Sequence, residues 1–549
     1  MSKTQKTARS LSGIAGIVAV ATLISKVFGL VRQQAIAAAF GVGAAVDAYS
    51  YAYVIPGFLW VLLGGINGPF HSAIVSVVAK RDKSEAAPIV ETITTLVGAI
   101  LLIVTIVLVM FAGVFIDLVG PGLNPQVRAI AIQQLQIMAP MAVLAGFIGI
   151  GFGTLNAADM YWLPSVSPLF SSITLIGGIG VLALQLGNQI TAPKYVVLGG
   201  IVLAWGTLSG AILQWLVQLV AQWRAGLGKL RLRFNWNEPG VQDVLRVMGP
   251  ATLSSGMLQI NLYTDLFFAS SIQGAAAAMA YAGLLVQTPL GIISNVILVP
   301  LLPVFSRLAA PENWPELKGR IRQGLLFTAI TMLPMGALMI TLAVPIVRVI
   351  YERGAFKQNA SQLVASLLVV YGIGMFVYLA RDVLVRVFYA LGDGKTPFRI
   401  SIINIFLNGV LDYLFVQPLG APGLILATVI VNITSTIALL WLLDRKLNGL
   451  PLRQWSWPIL GLTVGSVLAG LTSWGVNWGI EQVWSTQSLL VQLVQLSLAG
   501  IVGFGVFTVF ATQLKLPEVD MFVSRLRQRF SRSSNQPSQS GPRKDDGDG

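Results

Sequence analysis

The chain reads as fourteen apolar segments, running from 11–40 to 487–514, each long enough to cross a bilayer. A helical crossing takes about 20 mainly apolar residues. No other feature limits the fold as strongly. A segment in hydrocarbon must satisfy its backbone polar groups internally, which a helix does within itself. The expected fold is therefore an all-α polytopic membrane protein of about fourteen transmembrane helices, arranged as two six-helix lobes plus two C-terminal helices. Composition agrees: 55% of the 549 residues are hydrophobic and 11% are charged, whereas a soluble domain carries about 25% charged residues. Several segments are longer than a crossing requires, so tilts or breaks are expected, with Pro56–Gly57 and Pro289–Gly291 as candidate break points.

A faint repeat suggests the two lobes. Pro56 and Pro289 lie 233 residues apart, as do Pro164 and Pro397. Six helices per lobe would give a parallel repeat, with cargo bound between the lobes near the midplane. The expected organisation is an N-terminal lobe over 1–222, a cytoplasmic linker over 223–246 and a C-terminal lobe over 247–443. Two added spans over 444–514 and a partly disordered tail over 515–549 complete it. Basic residues cluster on one side, among them Lys3, Lys6, Arg9, Lys80, Arg81, Lys83, Arg231 and Arg233. That side is expected to be the cytoplasm and to hold both termini. The net charge of +14 is spread over short loops, so nucleic acid is not an expected partner. The absence of cysteine excludes disulfides, thiolate metal sites and cysteine nucleophiles. No phosphate loop, HExxH motif or nucleophile elbow occurs, so neither an enzyme nor a catalytic residue is expected. The glycine-rich run 146–153 reads as a helix-packing surface rather than a nucleotide site.

Charged and polar residues inside the apolar segments carry the functional reading, because a cation near the bilayer centre costs about 2.5–3.5 kcal/mol on insertion scales. Lys26 and Arg32 lie in the first segment, six residues apart, and so point about 120° from each other around a helix. Both can border one wide cavity that accepts an anion, or either can snorkel to an interface. Asp47, opening the second segment, pairs with one of them or caps its helix. A second group comprises Asp265 with Asn408 and Asp412, the latter two sharing one helix face. Its oxygen donors suit a hard cation such as sodium, with Thr428 and the Leu424 carbonyl completing the shell. The plainer alternative is that Asn408 and Asp412 bond locally. Arg381, Asp382 and Arg386 read as a structural ion-pair group, and the lone His71 as a packed or interfacial residue.

Two stretches resemble a known family. One is Ser25 to Arg32 (SKVFGLVR), with Ala37 to Gly41 (AAAFG) and Asp47 to Tyr49 (DAY). The other is Arg381 to Pro397 (RDVLVRVFYALGDGKTP). Together they resemble the MurJ (MviN) family of lipid II flippases, within the multidrug/oligosaccharidyl-lipid/polysaccharide exporter superfamily. The resemblance implies a bacterial inner-membrane protein that moves an undecaprenyl-pyrophosphate-linked peptidoglycan precursor to the outer leaflet. It implies a central cavity containing Lys26, Arg32 and Asp47, and a sodium site at Asp265, Asn408, Asp412 and Thr428. The chain departs from the common family pattern at Trp60, Gly65 and Leu284, where charged residues are frequent. Open alternatives are a cation-coupled exporter of small molecules, a flippase of another polyprenyl-linked oligosaccharide, or a scaffold whose basic tail recruits partners. Cavity cations favour anionic cargo over organic cations.

Overall fold

The computed structural model describes residues 11–64, 69–246, 248, 260–484 and 488–519. The first part of the chain forms α1 (Leu11–Phe40), α2 (Ala44–Leu63), α3 (Pro69–Val78), α4 (Lys83–Met110), α5 (Ala112–Val119), α6 (Pro125–Met138), α7 (Met141–Ala157), α8 (Trp162–Val166), α9 (Leu169–Leu186) and α10 (Val196–Ala225). The remainder forms α11 (Ile260–Ala269), α12 (Ala275–Arg307), α13 (Trp314–Thr341), α14 (Ala343–Tyr351), α15 (Gln358–Ala390), α16 (Lys395–Leu419), α17 (Ala421–Lys446), α18 (Leu452–Val483) and α19 (Leu489–Gln513). Among the described residues, eleven helices are long and apolar enough to cross a membrane, or twelve if one bent pair counts as a single span.

The all-α polytopic class is as expected, but the described residues do not reproduce the count of fourteen. One reason is physical: long apolar segments are broken. The predicted 86–117 segment divides at Phe111 into α4 and α5 but still counts once through α4, whereas 129–157 divides into α6 and α7, bent by 42°, and counts only if the pair is taken as one span. Pro140 sits at that bend, where its ring and missing N–H prevent a continuous helix. The other reason is coverage, since much of the predicted 247–272 segment lies outside the described residues. Pro56, by contrast, stays inside α2.

Contacts gather the chain into two compact units, Met1–Gly291 with Ala343–Gly374 and Lys395–Ser435, and Ile292–Leu342 with Met375–Gly394 and Thr436–Gly549. Their bounds run through α12, α15 and α17. In the first unit, α7 packs closely against α2, α3, α4 and α10 through its glycines. A Cβ on Gly149 would collide with the Leu63 carbonyl oxygen, and one on Gly151 with the Gln218 side chain. Buried Tyr51, Ile116, Leu135, Met138, Ile148 and Phe152 fill the space among α2, α5, α6 and α7. In the second unit, α18 and α19 pack together and against α13 around Leu326, Ala329, Leu462, Ala469 and Phe507. There Arg322 donates to the buried Glu518 carboxylate at 2.6 Å, and Lys446 to Asp393 at 2.6 Å.

Candidate functional site

The first unit encloses a cavity of about 480 Å³ lined from α1, α2, α7, α9, α10, α11, α12 and α15. Among the described residues its single lining cation is Arg32, half-buried on α1. Tyr49 and Tyr53, four apart on α2, present one aromatic wall, with rings stacked at 5.6 Å and within the Arg32 field. Thr207 donates its hydroxyl proton to the Leu203 carbonyl at 2.8 Å. Tyr49 must therefore be the donor in its 2.9 Å bond to Thr207, which fixes the phenol's orientation. Ser171, Gln214, Gln287 and Tyr371 add hydroxyl and amide groups to the lining. Gln214 is 1% exposed, and neither its amide nitrogen nor its amide oxygen has a hydrogen-bond partner among the described residues. Burial of such a group costs about 1–3 kcal/mol, so a ligand that pairs it recovers that energy. A cation, phenols and amides on one apolar-walled cavity can accept an anionic head with hydroxyl and amide substituents.

The expected cavity residues separate. Arg32 lines the cavity. Lys26, nearer the start of α1, is exposed and is not among the residues lining this cavity; its Nζ lies 3.4 Å from the space a Cβ on Gly291 would occupy. Asp47 is 3% exposed and turned towards α12, where its Oδ2 accepts from Gly274 N at 3.0 Å and its Oδ1 from Ala277 N at 3.1 Å. Although Asp47 occupies the first turn of α2, it thus satisfies donors at the start of a different helix. The same end of the unit carries two further ties: Tyr281 donates to the Gly41 carbonyl at 2.9 Å, and Ala355 N to the Ala38 carbonyl at 2.8 Å. Two glycines permit this approach. Gly41 has φ +58 and Gly354 φ +58, and a Cβ on Gly41 would lie 2.6 Å from the Ala355 carbonyl oxygen.

The oxygen-donor group does assemble. Asn408 Nδ2 donates to Asp265 Oδ1 at 2.7 Å and to Asp412 Oδ2 at 2.8 Å. Thr428 donates at 3.3 Å to Asp265 Oδ2 and lies 3.4 Å from Asn408 Oδ1. Leu424 sits one turn before Thr428 on α17 and is fully buried. Asn408 is 1% exposed and Asp412 0%, while Asp265 also lines the cavity, so the cluster meets the cavity through that carboxylate. Two buried carboxylates on one amide require a positive partner, either a proton or a cation. The donor set fits sodium: its ligating atoms would all be oxygen, and Asp412 Oδ1 is buried without a hydrogen-bond partner among the described residues. It does not resemble a transition-metal site, since no group of three His, Cys, Asp or Glu comes together among the described residues.

Sequence reasoning missed the tyrosines, Gln214 and Gln287. The available signal was the i, i+4 spacing of Tyr49 and Tyr53 and the presence of uncharged polar residues inside apolar helices. The Arg381–Asp382–Arg386 group lies on α15, with Asp382 in the field of both arginines. His71 Nε2 lies 2.8 Å from the Asn156 amide, a packed polar contact rather than part of the cavity.

Comparison with known proteins gives the family of the chain. The family model described as "Lipid II flippase MurJ" matches residues 36–495. A Synechocystis sp. protein named probable lipid II flippase MurJ is 60% identical over 534 residues, covering 97% of this chain and 100% of that protein. A Vibrio cholerae protein of the same name is 29% identical, over 92% and 95% of the two chains. A solved structure titled as lipid II flippase MurJ in an inward closed conformation matches the fold with a TM-score of 0.73 at 24% identity, covering 91% of this chain and 99% of that one. An inward-facing multidrug-resistance transporter of the MATE family matches with a TM-score of 0.54 at 19% identity, over 79% and 99% of the chains; this likeness concerns fold alone. With the family model spanning most of its length, the chain belongs to the lipid II flippase MurJ family.

Proposed function

We propose that this protein is a transporter, not an enzyme, that moves a lipid-linked peptidoglycan precursor of the lipid II type from the inner to the outer leaflet by alternating access. Its setting is the bacterial inner membrane, with both termini in the cytoplasm. The observation that carries the reading is the cavity, in which one arginine, two stacked tyrosines and the unpaired Gln214 amide face a common space. Arg32 would grip the pyrophosphate, since a planar guanidinium matches two phosphate oxygens at once. Each such charge-assisted bond is worth about 1.5–3 kcal/mol. Lys26, outside this cavity but beside Gly291, would meet the same head on its way in. Asp47 would act on the cargo indirectly, by holding the α1–α2 end shut.

Sodium would be held by Asp265, Asn408, Asp412, Thr428 and the Leu424 carbonyl, where it would supply the positive charge that the paired carboxylates require. Asp265 belongs to both cluster and cavity, which gives cation and cargo a shared residue through which each can bias the other.

The test is complementation in cells depleted of the native protein, with precursor measured separately in each leaflet. Wild type should restore outer-leaflet precursor, and a Lys26→Ala, Arg32→Ala double variant should not, although it inserts normally. Restoration by the double variant would refute the cavity reading.

A further inference from the structure

After α10, the chain crosses α4 as a non-helical strap over residues 227–236 that is fastened by two buried groups. Glu91 and Thr95, one turn apart on α4, face it. Glu91 Oε1 accepts from Lys229 N at 2.9 Å, and Glu91 Oε2 pairs with Arg233 Nε at 3.1 Å. Thr95 accepts from Arg233 N at 3.1 Å, and its hydroxyl, which donates to the Glu91 carbonyl at 2.9 Å, lies 3.3 Å from the Arg231 carbonyl. Lys83 adds a bond to the Ala225 carbonyl at 2.9 Å. A carboxylate 7% exposed is expensive to bury, so the strap is a built element.

The outward-facing part of the strap alternates in sequence between basic and large apolar residues: Lys229, Leu230, Arg231, Leu232, Arg233, Phe234 and, after Asn235, Trp236. The four apolar side chains are 63%, 83%, 63% and 58% exposed, and Trp223 at the end of α10 is 57% exposed. Arg233 is matched by Glu91, whereas Lys229 and Arg231 have no acidic partner within 4 Å among the described residues. The depth of the strap follows from the helix that holds it. At its other end, the α4–α5 span finishes near Asp117, which is exposed and paired with Arg128. A hydrocarbon core about 30 Å thick takes about 20 helical residues, and the uncharged run 96–116, which crosses the break at Phe111, has about that length. Thr95 and Glu91 lie just beyond, so the strap runs at the level of the lipid headgroups.

We infer that the strap is an interfacial binding site for anionic phospholipid: its leucines, Phe234 and Trp236 enter the acyl boundary, and Lys229 and Arg231 bind headgroup phosphates. Amphipathic surface segments and aromatic belts occupy that depth for the same reasons. A basic residue near an anionic leaflet gains about 1 kcal/mol, or about fivefold in lipid preference. The strap leads into the 239–246 stretch, where Val241 and Val244 are fully buried against α4 residues, so lipid held here would steady the connection between the two halves of the chain.

The chain has no native cysteine, so Leu232→Cys in the full protein can be labelled with a bimane fluorophore, with Phe234→Cys as the second site. The protein is reconstituted in phosphatidylcholine vesicles containing equal small fractions of phosphatidylglycerol or phosphatidylcholine brominated near the carboxyl end of the acyl chains. Quenching by both is expected, and several-fold stronger quenching by the brominated phosphatidylglycerol. Lys229→Gln with Arg231→Gln should abolish that preference and keep the quenching itself. Absence of quenching at both sites, whether the strap faces water or another protein, would overturn the inference. Equal quenching by the two lipids in the unsubstituted strap would overturn it as well.

Discussion

Asp47→Asn should open the α1–α2 end of the protein. In the structure, the Asp47 carboxylate spans from α2 to the start of α12 through two bonds of 3.0 and 3.1 Å to Gly274 N and Ala277 N. Asparagine retains one accepting oxygen but presents an N–H to the other donor, so one charge-assisted bond is lost in a buried setting. That loss is worth about 1.5–3 kcal/mol. Alternating access requires this end to part in the opposite state, which breaks the Asp47 bonds together with the Tyr281–Gly41 and Ala355–Ala38 ties. The lost energy therefore falls on the closed state alone. At about 1.4 kcal/mol per factor of ten, a loss of about 2 kcal/mol raises the open-to-closed ratio by about thirtyfold. Gln126 and Asn359 are exposed at the starts of α6 and α15, and the chain has no cysteine of its own. Nitroxides at Gln126→Cys and Asn359→Cys would report the opening as a distance distribution by pulsed electron resonance. The Asp47→Asn protein should show a longer-distance population where the parent shows little. A lowered melting temperature with an unchanged distance distribution would refute the argument and leave Asp47 as an ordinary helix cap.

Three further outcomes follow from the same geometry. Gly41→Ala should open the same end, because φ +58 costs a β-carbon residue about 1–2 kcal/mol and its Cβ would press on the Ala355 carbonyl; the same pair of nitroxides reads the shift. Arg32→Lys should keep the charge but lose the fork that grips two oxygens, lowering cargo affinity about tenfold, with Arg32→Ala lower still, as measured by binding of a pyrophosphate-bearing lipid to purified protein. Asp412→Asn should weaken sodium binding at least tenfold in isothermal titration, since it removes one of two carboxylates; an unchanged affinity would leave Asp412 a structural residue held by Asn408.

The all-helical membrane class was legible in the sequence alone, because the cost of an unpaired backbone group in hydrocarbon leaves few other options. Chemistry was legible where a residue is costly in its segment: Arg32 in α1, and Asn408 and Asp412 one turn apart on α16, stand out against apolar neighbours. Partnership across helices was not. Asp47 reads as an N-terminal acid of its own helix, and only the fold brings it to the backbone of Gly274 and Ala277, more than 200 residues away. Lys26 and Arg32 look equivalent in sequence, yet helix rotation and the neighbouring surfaces give the cavity to one and the side of Gly291 to the other. The polar but uncharged lining, Tyr49, Tyr53 and Gln214, carries no insertion penalty large enough to signal a role, and becomes a site only when several helices turn those groups towards one space. Burial energy selects which face of each helix is hidden, but the partners a polar group meets there are decided by the packing of the whole unit.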